Sequence, residues 1–117
     1  YGNTEIIDLL IRRGADVNAR DKRGFHALGA ASANGHTASV KVLVASGANI
    51  NAQDDKYGSN ALMVSAANGH DAVVKYLLEH GANPNLRAMN GMTALGMAKA
   101  KGKQSIIELL RKYGATE

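Results

Sequence analysis

Cysteine is absent from the 117 residues. Disulfides and thiolate metal sites are therefore excluded, and cysteine usage leaves the redox compartment unmarked. Tryptophan is also absent, phenylalanine occurs once and tyrosine four times. Any core must then be built from Ala, Leu, Val and Ile. These side chains pack closely but bury little area each, so only a regular architecture makes such a core stable. No apolar run approaches the roughly 20 residues a membrane helix needs. No charged-then-apolar segment opens the chain as a signal peptide would. The Lys/Arg run and interleaved aromatics of a nucleic-acid surface are missing as well. The net charge of +4 is nevertheless mildly basic and favours an acidic partner. An initiator methionine is missing too: the chain begins Tyr1-Gly2, as expected of a fragment.

What is present is periodic. Gly-Ala recurs at Gly14-Ala15, Gly47-Ala48, Gly81-Ala82 and Gly114-Ala115, with glycine spacings of 33, 34 and 33 residues. A second glycine column follows the same step at Gly2, Gly35, Gly69 and Gly102, and a third runs Gly24, Gly58, Gly91. An asparagine column stands at Asn18, Asn51 and Asn85. Four columns in one register define a structural repeat. The extra residue of the 34-residue step falls in Gln53-Asp54-Asp55-Lys56, a turn, where insertions are tolerated.

Each period opens with an Ala-rich stretch (27–34, 61–68, 94–101) that a glycine breaks. A second stretch follows with apolar residues at i, i+3 and i+4: Val40, Leu43, Val44, then Val74, Leu77, Leu78, with Ile7, Leu10, Ile11 at the start of the chain. That spacing is one face of an α-helix, and the closing glycine is the expected stop. Segments such as 16–24 are rich in Asn, Asp and Gly and read as turns. Each period is thus two short antiparallel helices and a projecting turn. Neither helix is stable alone at this length; stacking on neighbouring repeats supplies the burial.

These residues resemble the ankyrin repeat family over the full length. The similarity is carried by Gly35-His36 and Gly69-His70, by the ending Leu-Leu-x-x-Gly-Ala-Asp-Val-Asn-Ala at 9–19 with Ile11 inserted, and by its variants at 47–52 and 81–85. The opening Gly-x-Thr-x-Leu stands at 91–95. The resemblance implies an all-α ankyrin-repeat solenoid of about three and a half helix-turn-helix repeats with projecting β-turns or hairpins. As one domain, 1–117 would divide into a partial repeat 1–20 and repeats 21–53, 54–87 and 88–117. In the family the Gly-His histidine is structural and bonds loop backbone.

Departures from the pattern are informative. The family opens its first helix Thr-Pro-Leu-His; this chain has His26-Ala27-Leu28-Gly29, Asn60-Ala61-Leu62-Met63 and Thr93-Ala94-Leu95-Gly96. Asn60 and Thr93 can cap a helix, and His26 is a poorer cap. Gly29 and Gly96 each cost about 1 kcal/mol against alanine inside a helix. Modest stability follows, with a thermal midpoint below ~90 °C in a melting scan. In the last repeat Lys99 takes the place of Ser32 and Ala66, and Arg111 that of Ile11, Val44 and Leu78, as when a terminal repeat closes an array. The first repeat starts at its mid-repeat glycine with an apolar second helix, so at least one further helix is expected upstream of Tyr1.

The chemistry-bearing residues read as structural. His26, His36, His70 and His80 have no metal-ligand spacing. Ser32, Ser39, Ser46 and Ser65 sit in small-residue columns without a Gly-x-Ser-x-Gly elbow. No phosphate loop occurs. No enzyme activity, metal or cofactor is expected. The resemblance implies instead that a protein partner is met by turn tips and by the exposed face of each first helix. The tips are Arg20, Lys22, Arg23, Phe25; then Gln53, Lys56, Tyr57, Ser59; then Arg87, Met89, Asn90, Met92. The helix face adds Ala33, Asn34, Ala67, Asn68, Ala100 and Lys101. Phe25, Tyr57, Met89 and Met92 on turns are residue types that a core usually takes and that interfaces favour. The expected function is a rigid protein-interaction module for an acidic or mixed acidic and apolar segment. Alternatives are a non-catalytic regulatory or targeting segment of a larger enzyme, channel or effector, a nucleic-acid binder, a spacer, or ordinary solvated turns with Phe25 folded back. The cytoplasm is the expected compartment for a parent chain without a targeting signal.

Overall fold

The Ala-rich and apolar-periodic stretches are alternating helices. The computed structural model describes residues 27–116, where six helices succeed one another: α1 (Ala27–Ala33), α2 (Thr37–Ala45), α3 (Ala61–Ala67), α4 (Asp71–Glu79), α5 (Ala94–Ala100) and α6 (Gln104–Lys112). First helices have 7 residues and second helices 9. The partial repeat and the tips Arg20, Lys22, Arg23 and Phe25, like His26, lie outside the described residues.

Capping follows the sequence reading. The Asn60 side chain accepts from the Met63 amide at 2.9 Å, and Thr93 Oγ1 accepts from the Gly96 amide at 3.2 Å. Each such cap contributes about 1 kcal/mol. The first helices stop at a left-handed glycine, after which the chain turns back. The His36, His70 and Lys103 amides return to the Ala31, Ser65 and Ala98 carbonyls at 3.0, 3.0 and 2.9 Å. Orphan carbonyls at the helix ends are thereby satisfied.

Helices stack in two layers. α1, α3 and α5 lie side by side in one, α2, α4 and α6 in the other, and each first helix packs on its own second helix. First helices pack most closely, because small residues line their contacts: Ala66 and Ala98 are fully buried. Val40, Leu43, Val74, Leu77, Ile106 and Leu110 of the second helices fill the space between the layers. Leu43, Leu77 and Leu110 occupy one column, so the core is continuous along the stack as repeat packing requires.

Between neighbours runs a polar ladder. The Asn51 side chain accepts from the Asn83 amide at 2.7 Å, and the Asn85 side chain accepts from the Thr116 amide at 2.9 Å. Asn85 Nδ2 also donates to the Gly114 carbonyl at 3.2 Å. The asparagine column therefore sutures one loop to the next. His70 does the same between first helices, its Nε2 2.9 Å from the Ala33 carbonyl. Near the opposite edge, Ser105 Oγ meets Asp71 Oδ2 at 2.5 Å.

One polar group is out of step. Ser32 is fully buried and its hydroxyl has no hydrogen-bond partner, whereas Ser65 Oγ donates to the Ala61 carbonyl at 2.8 Å. The next repeat carries alanine in the Ser32 column. An unsatisfied buried hydroxyl costs about 1–3 kcal/mol. Ser32→Ala is expected to stabilise the domain by about 1 kcal/mol, read as a rise in the urea midpoint at unchanged slope. A fall would show that the hydroxyl is satisfied in solution.

Candidate functional site

The turns that precede α3 and α5 project from one edge of the stack, and the sequence explains their shape. Asp54 is an Asx-turn residue by type, and its Oδ1 accepts from the Lys56 and Tyr57 amides at 3.0 and 2.6 Å. Its backbone amide donates to the Ser59 carbonyl at 2.8 Å, closing the turn. Asp54 is buried by this arrangement. One of the two acidic residues of the turn is thus spent inside it, while Asp55, Lys56 and Tyr57 are exposed.

Consecutive turns are joined directly. The Met89 amide donates to the Tyr57 carbonyl at 2.9 Å. Gln53 Nε2 donates to the Gly58 and Arg87 carbonyls, both at 2.8 Å. Gly58 lies at this crossing with φ 67°, and a Cβ there would stand 3.0 Å from the Met89 backbone nitrogen. Only glycine allows both the left-handed turn and the close approach.

The junction brings Tyr57 and Met89 together. They are the large apolar side chains most exposed among the described residues, at 54% and 69%. Between them and α5 opens a cleft of about 290 Å³ lined by Lys56, Tyr57, Ser59, Ala88, Met89, Asn90 and Met97. The Lys56 ammonium stands 5.1 Å from the Tyr57 ring centroid, within cation–π range, on the cleft's rim.

The other expected contact residues are placed differently. Met92 is half-buried, its terminal Cε methyl close to Gly96, so it supports α5 more than it projects. Arg87 is exposed, but its guanidinium donates to the Gly91 carbonyl at 2.7 Å within its own turn. Asn34 and Asn68 are exposed at the ends of α1 and α3. The Asn34 amide donates to the Ala30 carbonyl at 3.0 Å, and the Asn68 amide reaches back to Ala33 at 2.9 Å. Lys101 is exposed at the end of α5, one helical turn from Met97.

Met97 and Ala88 are missing from the sequence-based contact set. Met97 stands in the column Ala30, Val64, Met97, where the repeats disagree in size; that disagreement was the available signal. Ala88 left none, since its position in the cleft depends on how two turns meet.

Charge is also segregated. Residues 99–112 carry Lys99, Lys101, Lys103, Arg111 and Lys112 against Glu108 alone, a net of +4 that equals the value for the whole chain. Lys99 and Arg111 are exposed, whereas Ser32, Ala66 and Leu78 in the same columns are buried. No group of three His, Asp or Glu residues able to hold a metal comes together among the described residues. No described helix is long and apolar enough to cross a membrane.

Stacked helix pairs with sutured loops and projecting turns define a helical solenoid, a class of protein that offers extended surface in place of an enclosed cavity. A family model for ankyrin repeats in three copies matches residues 1–88 and again 53–117. The chain belongs to the ankyrin repeat family. It is 35% identical over 114 residues to an ankyrin repeat-containing protein of Treponema pallidum (strain Nichols), a match covering 97% of this chain and 38% of that protein. Over 53 residues, 45% of this chain, it is 43% identical to the mitochondrial disaggregase of Bos taurus and 42% to that of Homo sapiens, covering 8% of each. The chain thus spans well under half the length of these curated relatives.

Proposed function

We propose that this chain is a protein-interaction module whose contact surface is the edge made by successive turns and the adjoining first helices. One observation carries the reading: Tyr57 and Met89, both exposed, are held side by side on consecutive turns by a backbone hydrogen bond. Aromatic and methionine side chains at such a place are the interface-enriched types. The surface is rigid because Asp54, Gln53 and Gly58 fix the turns, so little ordering entropy opposes binding. The partner is a polypeptide with apolar and acidic side chains, matched to Tyr57, Met89 and the basic rim.

Phe25→Ala and Tyr57→Ala are expected to abolish or sharply reduce partner capture from a lysate, because truncating interface aromatics costs about 2 kcal/mol or more. Unchanged capture would remove both residues from the contact surface. A second reading, a non-catalytic segment of a larger protein, is favoured by the disaggregase matches, in which the shared stretch is 8% of a long chain. The two readings are compatible, since such a segment would act by holding a partner.

A further inference from the structure

Resting on that reading, we infer that the partner is an extended segment bearing an apolar residue and a carboxylate two positions apart. The apolar side chain enters the cleft between Tyr57 and Met89, with Met97 at its base, and the carboxylate pairs with Lys101.

The spacing follows from α5. Met97 is half-buried and lines the cleft. Lys101 lies four residues on, its amide donating to the Met97 carbonyl at 3.1 Å. Residues at i and i+4 share a helix face, and four residues advance the helix by about 6 Å. An extended peptide advances about 3.3 Å per residue. Two peptide residues therefore cover the step from the cleft to Lys101. One residue falls short, and three overshoot by about half that distance again.

Charge selects the acidic side chain. Lys101 belongs to the segment that holds a net +4, so a carboxylate arriving there enters a region of net positive charge. At the opposite rim Lys56 stands over the Tyr57 ring, but the exposed Asp55 next to it offsets its charge, so the acidic preference rests on Lys101. The cleft itself is too shallow and open for a free small molecule, which needs most of its surface enclosed. A chain that continues along α5 gains the extra contact.

The test is selection from a random dodecapeptide phage library on the full 117-residue chain, followed by binding measurements with the enriched peptides. Enriched peptides are expected to share Leu, Phe, Ile or Met with Asp or Glu two residues away, on the same side throughout. Tyr57→Ala should weaken them about thirtyfold and Lys101→Glu about tenfold. Replacing the peptide's carboxylate by lysine should restore binding to the Lys101→Glu protein. Moving the acid by one position should lose about as much as the Lys101→Glu change. All the substituted side chains are exposed, and an unchanged melting curve checks that each variant is folded. Peptides sensitive to Tyr57 but indifferent to Lys101 and to the acid's position would overturn the spacing and leave the turn-edge reading standing. A library yielding no peptide sensitive to Tyr57 or Met89 would overturn both. Equal displacement of the peptide by a single-stranded oligonucleotide of matched charge would reduce the carboxylate pairing to unspecific attraction and also sink the inference.

Discussion

Ala66→Lys is expected to lower the unfolding free energy by more than about 3 kcal/mol, a large share of the roughly 5–15 kcal/mol that holds a domain folded. Ala66 is fully buried where α3 meets its neighbouring first helices. A lysine there must either bury an ammonium with no opposite charge or push the first helices apart. Both costs are of several kcal/mol. The same column holds Lys99 in the last repeat, where the side chain is exposed. The residue that the final repeat carries in water is therefore excluded from the middle of the stack. Urea denaturation followed by circular dichroism measures the effect. A loss below about 1 kcal/mol would mean that the first helices are not stacked as closely as described.

Gly35→Ala has the second largest expected effect, about 3 kcal/mol. Gly35 has φ 71°, and a Cβ there would stand 2.6 Å from His70 Nδ1. The left-handed conformation costs a non-glycine residue about 1–2 kcal/mol. The clash adds to it because the His70 ring is not free to swing away: its Nε2 is tied to the Ala33 carbonyl, a bond worth about 1 kcal/mol. A double-mutant cycle separates the two terms. His70→Ala alone loses the bond between repeats, and in its presence Gly35→Ala should cost only the backbone strain, so the pair is less than additive. Strict additivity would show that His70 does not seat on Gly35.

These two positions mark how the repeat columns act. Gly35, Gly69 and Gly102 recur in the sequence, and all three take positive φ. In two of them the next repeat lays a side chain on the glycine: His70 on Gly35 and Lys103 on Gly69. The Gly-His pairing is thus a contact between repeats, made by the histidine of one turn and the glycine of the turn before. Lys103, standing where His36 and His70 stand in their repeats, keeps the packing with an aliphatic stem.

The helix pairs, their stops and the caps Asn60 and Thr93 were legible in the sequence because each depends on residues within one turn of helix. Periodicity of 3.6, a left-handed glycine and an oxygen-bearing cap are local rules. The exposed charges at Lys99 and Arg111 were legible too, since a charge cannot enter a column that is apolar elsewhere. The cleft was not. It exists because the Met89 amide bonds to Tyr57 on another turn, and because Asp54 turns its carboxylate inward to the amides of Lys56 and Tyr57. The sequence alone puts Asp54 in a charged turn with no sign of its burial, and places Met92 beside Met89 as an equal. Burial of the first and the half-buried packing of the second on α5 come from the meeting of two turns, which no spacing within a single repeat encodes. The repeat pattern therefore sufficed for the fold, whose forces are local and repeated. Which side chains face a partner depended on contacts between non-equivalent residues of adjacent repeats, where the pattern is silent.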